Sequence, residues 1–187
     1  MKRTFDFLLA LAVAGVLALP TLFIALAVLS TSPGPVLYWS DRVGRGNRIF
    51  RMPKFRSMRV DTPAVATHLL QDPKAYLTPI GSFLRKSSLD EIPQLWSILK
   101  GDMSFVGPRP ALFNQVDLIE LRTQSGVEQL LPGLTGWAQV QYEYGRTVDD
   151  ARIKLEYDLY YVRHASLWLD LQIIFRTIAI ALNMTGA

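Results

Sequence analysis

Ser87-Ser88-Leu89-Asp90-Glu91-Ile92-Pro93-Gln94-Leu95-Trp96, closely followed by Lys100-Gly101-Asp102-Met103-Ser104-Phe105-Val106-Gly107-Pro108-Arg109-Pro110, is the stretch around which this chain is organised. Ile92, Leu95, Trp96 and Leu99 recur at the i, i+3, i+4, i+7 spacing of one helical face, and Gly101 supplies a stop. The pattern predicts a short, half-buried helix of about ten residues. Ser88 with Glu91 three residues later has the form of a capping box, while Asp90 is itself a good cap residue. Pro93 favours Asp90, because it then stands among the first positions, whose N–H groups have no helical partner. Two carboxylates at a helix start can simply complement the helix dipole. Here they keep the company of Arg85, Lys86 and Arg109 and of an apolar segment upstream.

The chain has 187 residues, half of them hydrophobic, a net charge of +4 and no cysteine, so disulfide and thiolate chemistry are excluded. Phe7 to Leu29 run for 23 residues without a charge, long enough to span a bilayer. A cleaved signal peptide fits less well, since the run exceeds an ordinary signal core and Ser30-Thr31-Ser32-Pro33-Gly34 is a poor cleavage site. Lys2 and Arg3 precede the segment; Arg42, Arg45, Arg48, Arg51, Lys54, Arg56 and Arg59 follow it. Both flanks read as cytoplasmic by the positive-inside rule. A helix that enters, breaks and returns satisfies both, and Pro20, near the middle of the run, is the candidate break.

Val36 to Trp39 and Arg48 to Met52 read as strands around the turn Gly44-Arg45-Gly46-Asn47. The basic run Lys54-Phe55-Arg56-Ser57-Met58-Arg59 suits anionic lipid headgroups, with one or two members reaching substrate phosphates. Asp61 to Leu77 reads as a loop in which His68 has little claim on catalysis. Thr78-Pro79 predicts a helix cap and first position, with Ile80, Phe83 and Leu84 as the apolar face. Met103 to Val106 is strand-like, and Gly107-Pro108-Arg109-Pro110 is a rigid turn that presents one guanidinium, a fork suited to phosphate. Phe113 to Leu130 is largely helical in pattern. Pro132 to Gly136 breaks the chain, and Trp137-Ala138-Gln139-Val140 is expected as a strand. Val148 to Val162 is an amphipathic helix with Ile153, Leu155, Leu159 and Val162 facing a core. Leu167 to Leu182 is apolar but carries Asp170 and Arg176, which favours an interfacial or core-packed helix over a second span. Asp170 is either a cap or a carboxylate pointed into a polar site. No Walker loop, dinucleotide fingerprint, zinc spacing or repeat is present.

The expected fold is mixed α/β and helix-rich: a re-entrant membrane helix over residues 1–33, then a small cytoplasmic catalytic domain over 34–187 ending in an interfacial helix at about 167–183. Paired carboxylates, basic groups and a membrane segment point to chemistry on a phosphorylated substrate at a membrane surface. An aspartate can attack phosphorus and form an acyl phosphate, and Mg²⁺ held by one or two carboxylates would neutralise the phosphates. Asp90 and Glu91 are the catalytic candidates, with Lys54, Arg56, Arg85 and Arg109 as candidates for phosphate. A basic run adjoining a membrane segment, without a reader motif, argues against nucleic acid.

These residues closely resemble the bacterial sugar transferase family, the monotopic polyprenol-phosphate phosphoglycosyl transferases. The matching pieces are Lys54 to Met58, Ser88 to Leu95, Lys100 to Pro110, Pro132 to Val140, Tyr160-Tyr161 and Leu169-Asp170-Leu171, in the family's order along nearly the whole chain. The resemblance implies transfer of a sugar-1-phosphate from a UDP-sugar to undecaprenyl phosphate, releasing UMP, at the bacterial inner membrane. It implies Asp90 as nucleophile with Mg²⁺ nearby, Glu91 as its partner in handling the acceptor phosphate, Lys54 and Arg109 at phosphates, and Asp170 at the metal or organising the site. It also implies a re-entrant first helix, and it leaves a homodimer open. Two departures stand out. Leu19-Pro20 replaces the family's Ser-Pro at the helix break, and Gln141-Tyr142-Glu143-Tyr144-Gly145-Arg146 replaces Asn-Gly-Arg, with Arg146 in the arginine's place. The latter resembles a subgroup that initiates exopolysaccharides. The competing readings are a membrane-anchored phosphatase using the same aspartate, and a non-catalytic basic scaffold on the membrane.

Overall fold

The computed structural model of the protein describes residues 1–63, 72–142 and 148–182. The apolar N-terminal run forms two helices, α1 (Lys2–Val16) and α2 (Ala18–Thr31), bent by 63° where they meet at Leu17. Pro20 accounts for the position of the bend. In a continuous helix its nitrogen would face the Val16 carbonyl, where the ring removes the hydrogen bond and clashes. Regular bonding resumes at once, with the Thr21 N–H donating to Leu17 at 2.8 Å. Neither helix alone is long and apolar enough to cross a membrane, whereas the bent pair together is, by length and composition.

Both arms of this pair pack on the rest of the chain. Asp6 and Ala10 of α1 are buried, and Leu9, Val13, Ala14 and Leu17 lie on the same face against the main core. That core is built from Met52, Leu95, Ile98, Met103, Phe105, Val106, Tyr161, Leu169 and Ile173. Val28 of α2 belongs to a smaller cluster with Phe55 and Leu84. Around the bend the apolar side chains are bare: Val16 is 78%, Leu19 68% and Phe23 68% exposed.

The expected hairpin is present, as β1 (Leu37–Val43) antiparallel to β2 (Ile49–Phe55) with Leu37 opposite Phe55. Gly46 and Asn47 in its turn take φ of 63° and 59°, the left-handed region that these two residue types tolerate best. The helix expected from Pro79 begins later, as α3 (Gly81–Lys86). Thr78 is not its cap; the hydroxyl instead donates to the Ser57 carbonyl at 3.3 Å. Beyond it come a 3₁₀ turn (Leu89–Gln94), α4 (Leu95–Lys100), β3 (Ser104–Val106) and α5 (Val116–Gln124).

The second sheet corrects the sequence reading. β4 (Gly133–Thr135) pairs in parallel with β3, and Trp137–Gln141 is a helix, α6, instead of a strand. Glycine makes the pairing feasible, since a Cβ on Gly133 would stand 2.2 Å from the Gly107 nitrogen and one on Gly136 2.2 Å from the Gly107 oxygen. What reads as a chain break is thus a close backbone approach. Trp-Ala-Gln-Val is too short to separate a period of two from one of 3.6. α7 (Val148–His164) buries Asp158 and Tyr161 while Ile153 is exposed, so its inner face is more polar than the aliphatic pattern predicts. α8 (Leu167–Leu182) is capped by Ser166, whose hydroxyl accepts from the Leu169 N–H at 3.2 Å. It buries Leu169, Asp170 and Ile173 and exposes Trp168, Phe175 and Ile178.

Candidate active site

The carboxylate pair lies on the 3₁₀ turn that leads into α4, not at the cap of a single helix. Ser88 occupies the cap position with φ 56°, and no side chain caps the turn. Pro93 is again the cause, because the chain winds tightly through the residue that cannot donate and becomes α-helical only from Leu95. Asp90 and Glu91 are thereby left free of capping duty. The altered winding also shifts the buried face: Ile98 is fully buried while Trp96 is 57% exposed. Gly101 ends α4 at φ 95°, as the stop signal requires.

Two segments converge on Glu91. β2 brings Lys54, whose Nζ donates to Glu91 Oε1 at 2.7 Å, and the turn after β3 brings Arg109, whose Nη2 donates to the same oxygen at 3.1 Å. Burial would raise the Glu91 pKa, but the two cations outweigh it and hold the carboxyl at about 2. Burial pulls the Lys54 ammonium below the ordinary lysine value, with Glu91 opposing. Asp90, beside them, is only 8% exposed. Its environment acts in the other sense, since burial, joined by the charge of Glu91, raises its pKa against the pull of Lys54, Arg85 and Arg109. None of the side-chain hydrogen bonds among the described residues engages the Asp90 carboxylate, whereas Glu91 is gripped twice. Neighbouring acids thus have divergent environments, one buried without a side-chain hydrogen bond and one held by two cations.

The turn carrying Arg109 is fixed at three successive carbonyls. Pro108 accepts from the Gly133 N–H at 3.0 Å, Arg109 from Arg122 Nη1 at 2.7 Å, and Pro110 from Arg42 Nη1 at 3.2 Å. A shallow pocket beside Glu91 is lined by Arg42, Met52, Gln94, Arg109, Pro110 and Leu134. Gln94 is 3% exposed and its Nε2 has no partner. Sequence reasoning missed Arg42, Gln94 and Arg122. For Gln94 the signal was its place one turn beyond the acidic pair; for the two arginines there was none.

The other expected site residues fall elsewhere. Arg56 turns all three of its guanidinium nitrogens to carbonyls, Nε on Pro35 at 2.6 Å, Nη1 on Pro33 and Nη2 on Ser32, both at 2.9 Å. It clamps the exit of α2. Arg85 acts on Asp90 electrostatically and contacts Met58 Sδ at 3.5 Å. Asp170 is not the cap of α8, a place that Ser166 fills. One oxygen takes Lys2 Nζ and the other the Tyr161 hydroxyl, each at 2.6 Å, which joins α1, α7 and α8. Burial first, and then that carboxylate, raise the Tyr161 pKa. Arg146 and His68 lie outside the described residues.

No group of three or more histidine, aspartate or glutamate side chains gathers among the described residues. Asp170, with both oxygens engaged, does not suit a cation. Asp90 does fit the way Mg²⁺ is commonly held, by one or two carboxylates with phosphate oxygens and water completing its shell.

Three relatives place this site in context. A UDP-N-acetylgalactosamine-undecaprenyl-phosphate N-acetylgalactosaminephosphotransferase of Aeromonas hydrophila is 42% identical, covering 100% of this chain and 45% of its own. A UDP-galactose-lipid carrier transferase of Erwinia amylovora is 38% identical, covering 100% of this chain and 41% of its own. A UDP-glucose:undecaprenyl-phosphate glucose-1-phosphate transferase of Xanthomonas campestris pv. campestris is 44% identical, over 83% of this chain and 33% of its own. The chain therefore spans less than half the length of these relatives. The family model described as bacterial sugar transferase matches residues 1–184, and with the relatives it shows that the chain belongs to that family.

Proposed function

We propose that the protein transfers a sugar-1-phosphate from a UDP-sugar to undecaprenyl phosphate through a covalent phosphosugar on Asp90. The observation that carries this reading is the contrast within the acidic pair, a buried and unengaged Asp90 beside a Glu91 held by Lys54 and Arg109. An Asp90 oxygen attacks the phosphorus that bears the sugar. The bond from that phosphorus to the bridging oxygen breaks, and UMP leaves with the electron pair. An oxygen of the lipid phosphate then attacks the same phosphorus and displaces the Asp90 carboxylate, giving the diphosphate-linked sugar.

Lys54 and Arg109 offset the repulsion between anionic Asp90 and its anionic substrates, and Arg85 adds to the field. Glu91, held near pKa 2, is too weak a base to take a proton readily; it orients the two cations until phosphate oxygens compete for them. Mg²⁺, when bound at Asp90, would neutralise phosphate charge and polarise the phosphoryl oxygens.

The bent helix pair supports a re-entrant anchor in the bacterial inner membrane. Both ends are tied to one body, Lys2 to Asp170 and the α2 exit to Arg56, while the bare apolar bend projects between them. The relatives' names give three different donor sugars, N-acetylgalactosamine, galactose and glucose, so the test uses a panel of UDP-sugars.

The test is intact-protein mass after mixing detergent-purified protein with Mg²⁺ and a panel of UDP-sugars, without acceptor. A phosphosugar adduct in the parent, absent in Asp90→Asn and discharged by undecaprenyl phosphate, is expected. Turnover with acceptor but no adduct would establish direct transfer instead, and steady hydrolysis without acceptor would establish a phosphatase.

A further inference from the structure

Behind the site lies a buried ion pair that no step of the proposed reaction uses. Asp158 on α7 accepts from Arg122 Nη2 on α5 at 2.8 Å, with side-chain exposures of 4% and 14%. Arg122 spends its other terminal nitrogen on the Arg109 carbonyl at 2.7 Å. Arg109 in turn reaches Glu91. A line of polar contacts thus runs from α7 through α5 to the backbone of the residue that meets the acidic pair.

This arrangement is poor value as stabilisation. Burying two charges costs desolvation that their attraction often only balances, and here burial, the largest influence, pushes the Asp158 carboxyl upward despite its arginine partner. Arg122 Nε is buried with no partner at all. Geometry is where the pair has an effect. A planar guanidinium fixed by a carboxylate at one nitrogen presents another at a set distance and angle, and the atom it holds is the carbonyl of Arg109. Pro108 and Pro110 fix their own φ, and Pro110 restricts Arg109 to extended backbone, yet the peptide plane between Arg109 and Pro110 still needs an anchor. Gly133 and Arg42 hold the carbonyls on either side, and Arg122 holds the one that belongs to the functional residue.

We infer that Arg122, held by Asp158, is a positioning residue that sets the Arg109 guanidinium against Glu91 and the substrate phosphate. The inference rests on the proposed transfer reaction. Neither Arg122 nor Asp158 touches substrate in this reading; they act through Arg109 alone, and that is what makes them separable from residues that merely stabilise the fold.

The experiment is a double-mutant cycle on UMP release in detergent, with the UDP-sugar that gives turnover and undecaprenyl phosphate. The variants are Arg122→Gln, Asp158→Asn and Arg122→Lys, each in the parent and in an Arg109→Ala background. Arg122→Gln is expected to lower kcat/KM by about tenfold to a hundredfold in the parent, the scale of a misplacement of about 1 Å, and by less than about twofold where Arg109 is already gone. Arg122→Lys retains part of the activity, because an ammonium can reach one of the two oxygens. Equal losses in both backgrounds would mark a general structural effect and overturn the inference, as would no loss in the parent. If the parent releases UMP from none of the UDP-sugars tested, the transfer reading fails by itself, and the same cycle is read on binding of inorganic diphosphate. Coupling between Arg122 and Arg109 there sustains the positioning role; additivity, or no binding by the parent, overturns it.

Discussion

Asp90 and Glu91 are neighbours in sequence, yet their protons respond to pH in opposite ways. The Asp90 pKa is raised above the ordinary 3.8, so its ionised form costs stability at neutral pH and the cost fades as pH falls below both folded and unfolded values. Asp90→Asn is therefore expected to abolish transfer while raising the thermal midpoint at pH 7 by about 2–4 °C, equivalent to about 1 kcal/mol. Parallel melts and assays check both halves. Glu91 is the reverse case: held at about 2 against an unfolded 4.5, it contributes stability that is fully present above pH 4.5 and lost as pH falls through 2. The advantage of the parent over Glu91→Gln in acid melts should shrink across that window. In the proposed transfer, attack requires ionised Asp90, so the acid limb of kcat/KM should lie above pH 3.8. Lys54→Gln, which removes the strongest influence opposing that rise, should move the limb further upward as well as lower the rate. At this scale the sequence was most informative about charge type and least about direction. Arg56 and Arg109 look alike in a basic chain, and only the fold reveals that one guanidinium is consumed by backbone carbonyls and the other faces a carboxylate.

Among the elements, those with a local signal were legible and those made by distant contacts were not. The β1–β2 hairpin followed from its turn residues, the end of α4 from Gly101, and the bend between α1 and α2 from Pro20. β4 has no local signature, because its partner β3 lies about thirty residues away and the pairing depends on glycines that look like a loop. The same crowding yields a prediction. A methyl on Gly133 would meet the Gly107 nitrogen at 2.2 Å and the Thr135 oxygen at 2.2 Å, both backbone atoms that cannot swing aside. Gly133→Ala should cost about 3 kcal/mol or more in denaturant unfolding and disturb the Arg109 turn, whose Pro108 carbonyl the Gly133 N–H holds. Gly46→Ala is a useful contrast: a Cβ there meets no atom within 4 Å, so only the positive φ of 63° opposes it and the loss should be about 1 kcal/mol.

For the whole molecule, the informative fact is where the two ends of the bent pair finish. The start of α1 is held by Asp170 and by the carbonyls of Ile98 and Leu99, which accept from Arg3, and the end of α2 is held by Arg56. With no native cysteine to interfere, single cysteines at Thr4 and Arg45 should label from the same side of sealed inverted vesicles, and one at Leu19 should be shielded by lipid. Labelling of Thr4 and Arg45 from opposite sides would refute the re-entrant arrangement. The charge pattern of the two flanks suggests the re-entrant topology, but nothing in the sequence foretold that α1 would also join the main core through Asp6 and Ala10. With both arms seated on the body, Leu89 and Ile92 on either side of the acidic pair pack in one cluster with Val28 of α2. On the proposed re-entrant reading, encounter with a lipid-borne acceptor becomes a search over an area instead of a volume, and the anchor works as a depth gauge that presents Asp90 at the level where the acceptor's phosphate travels.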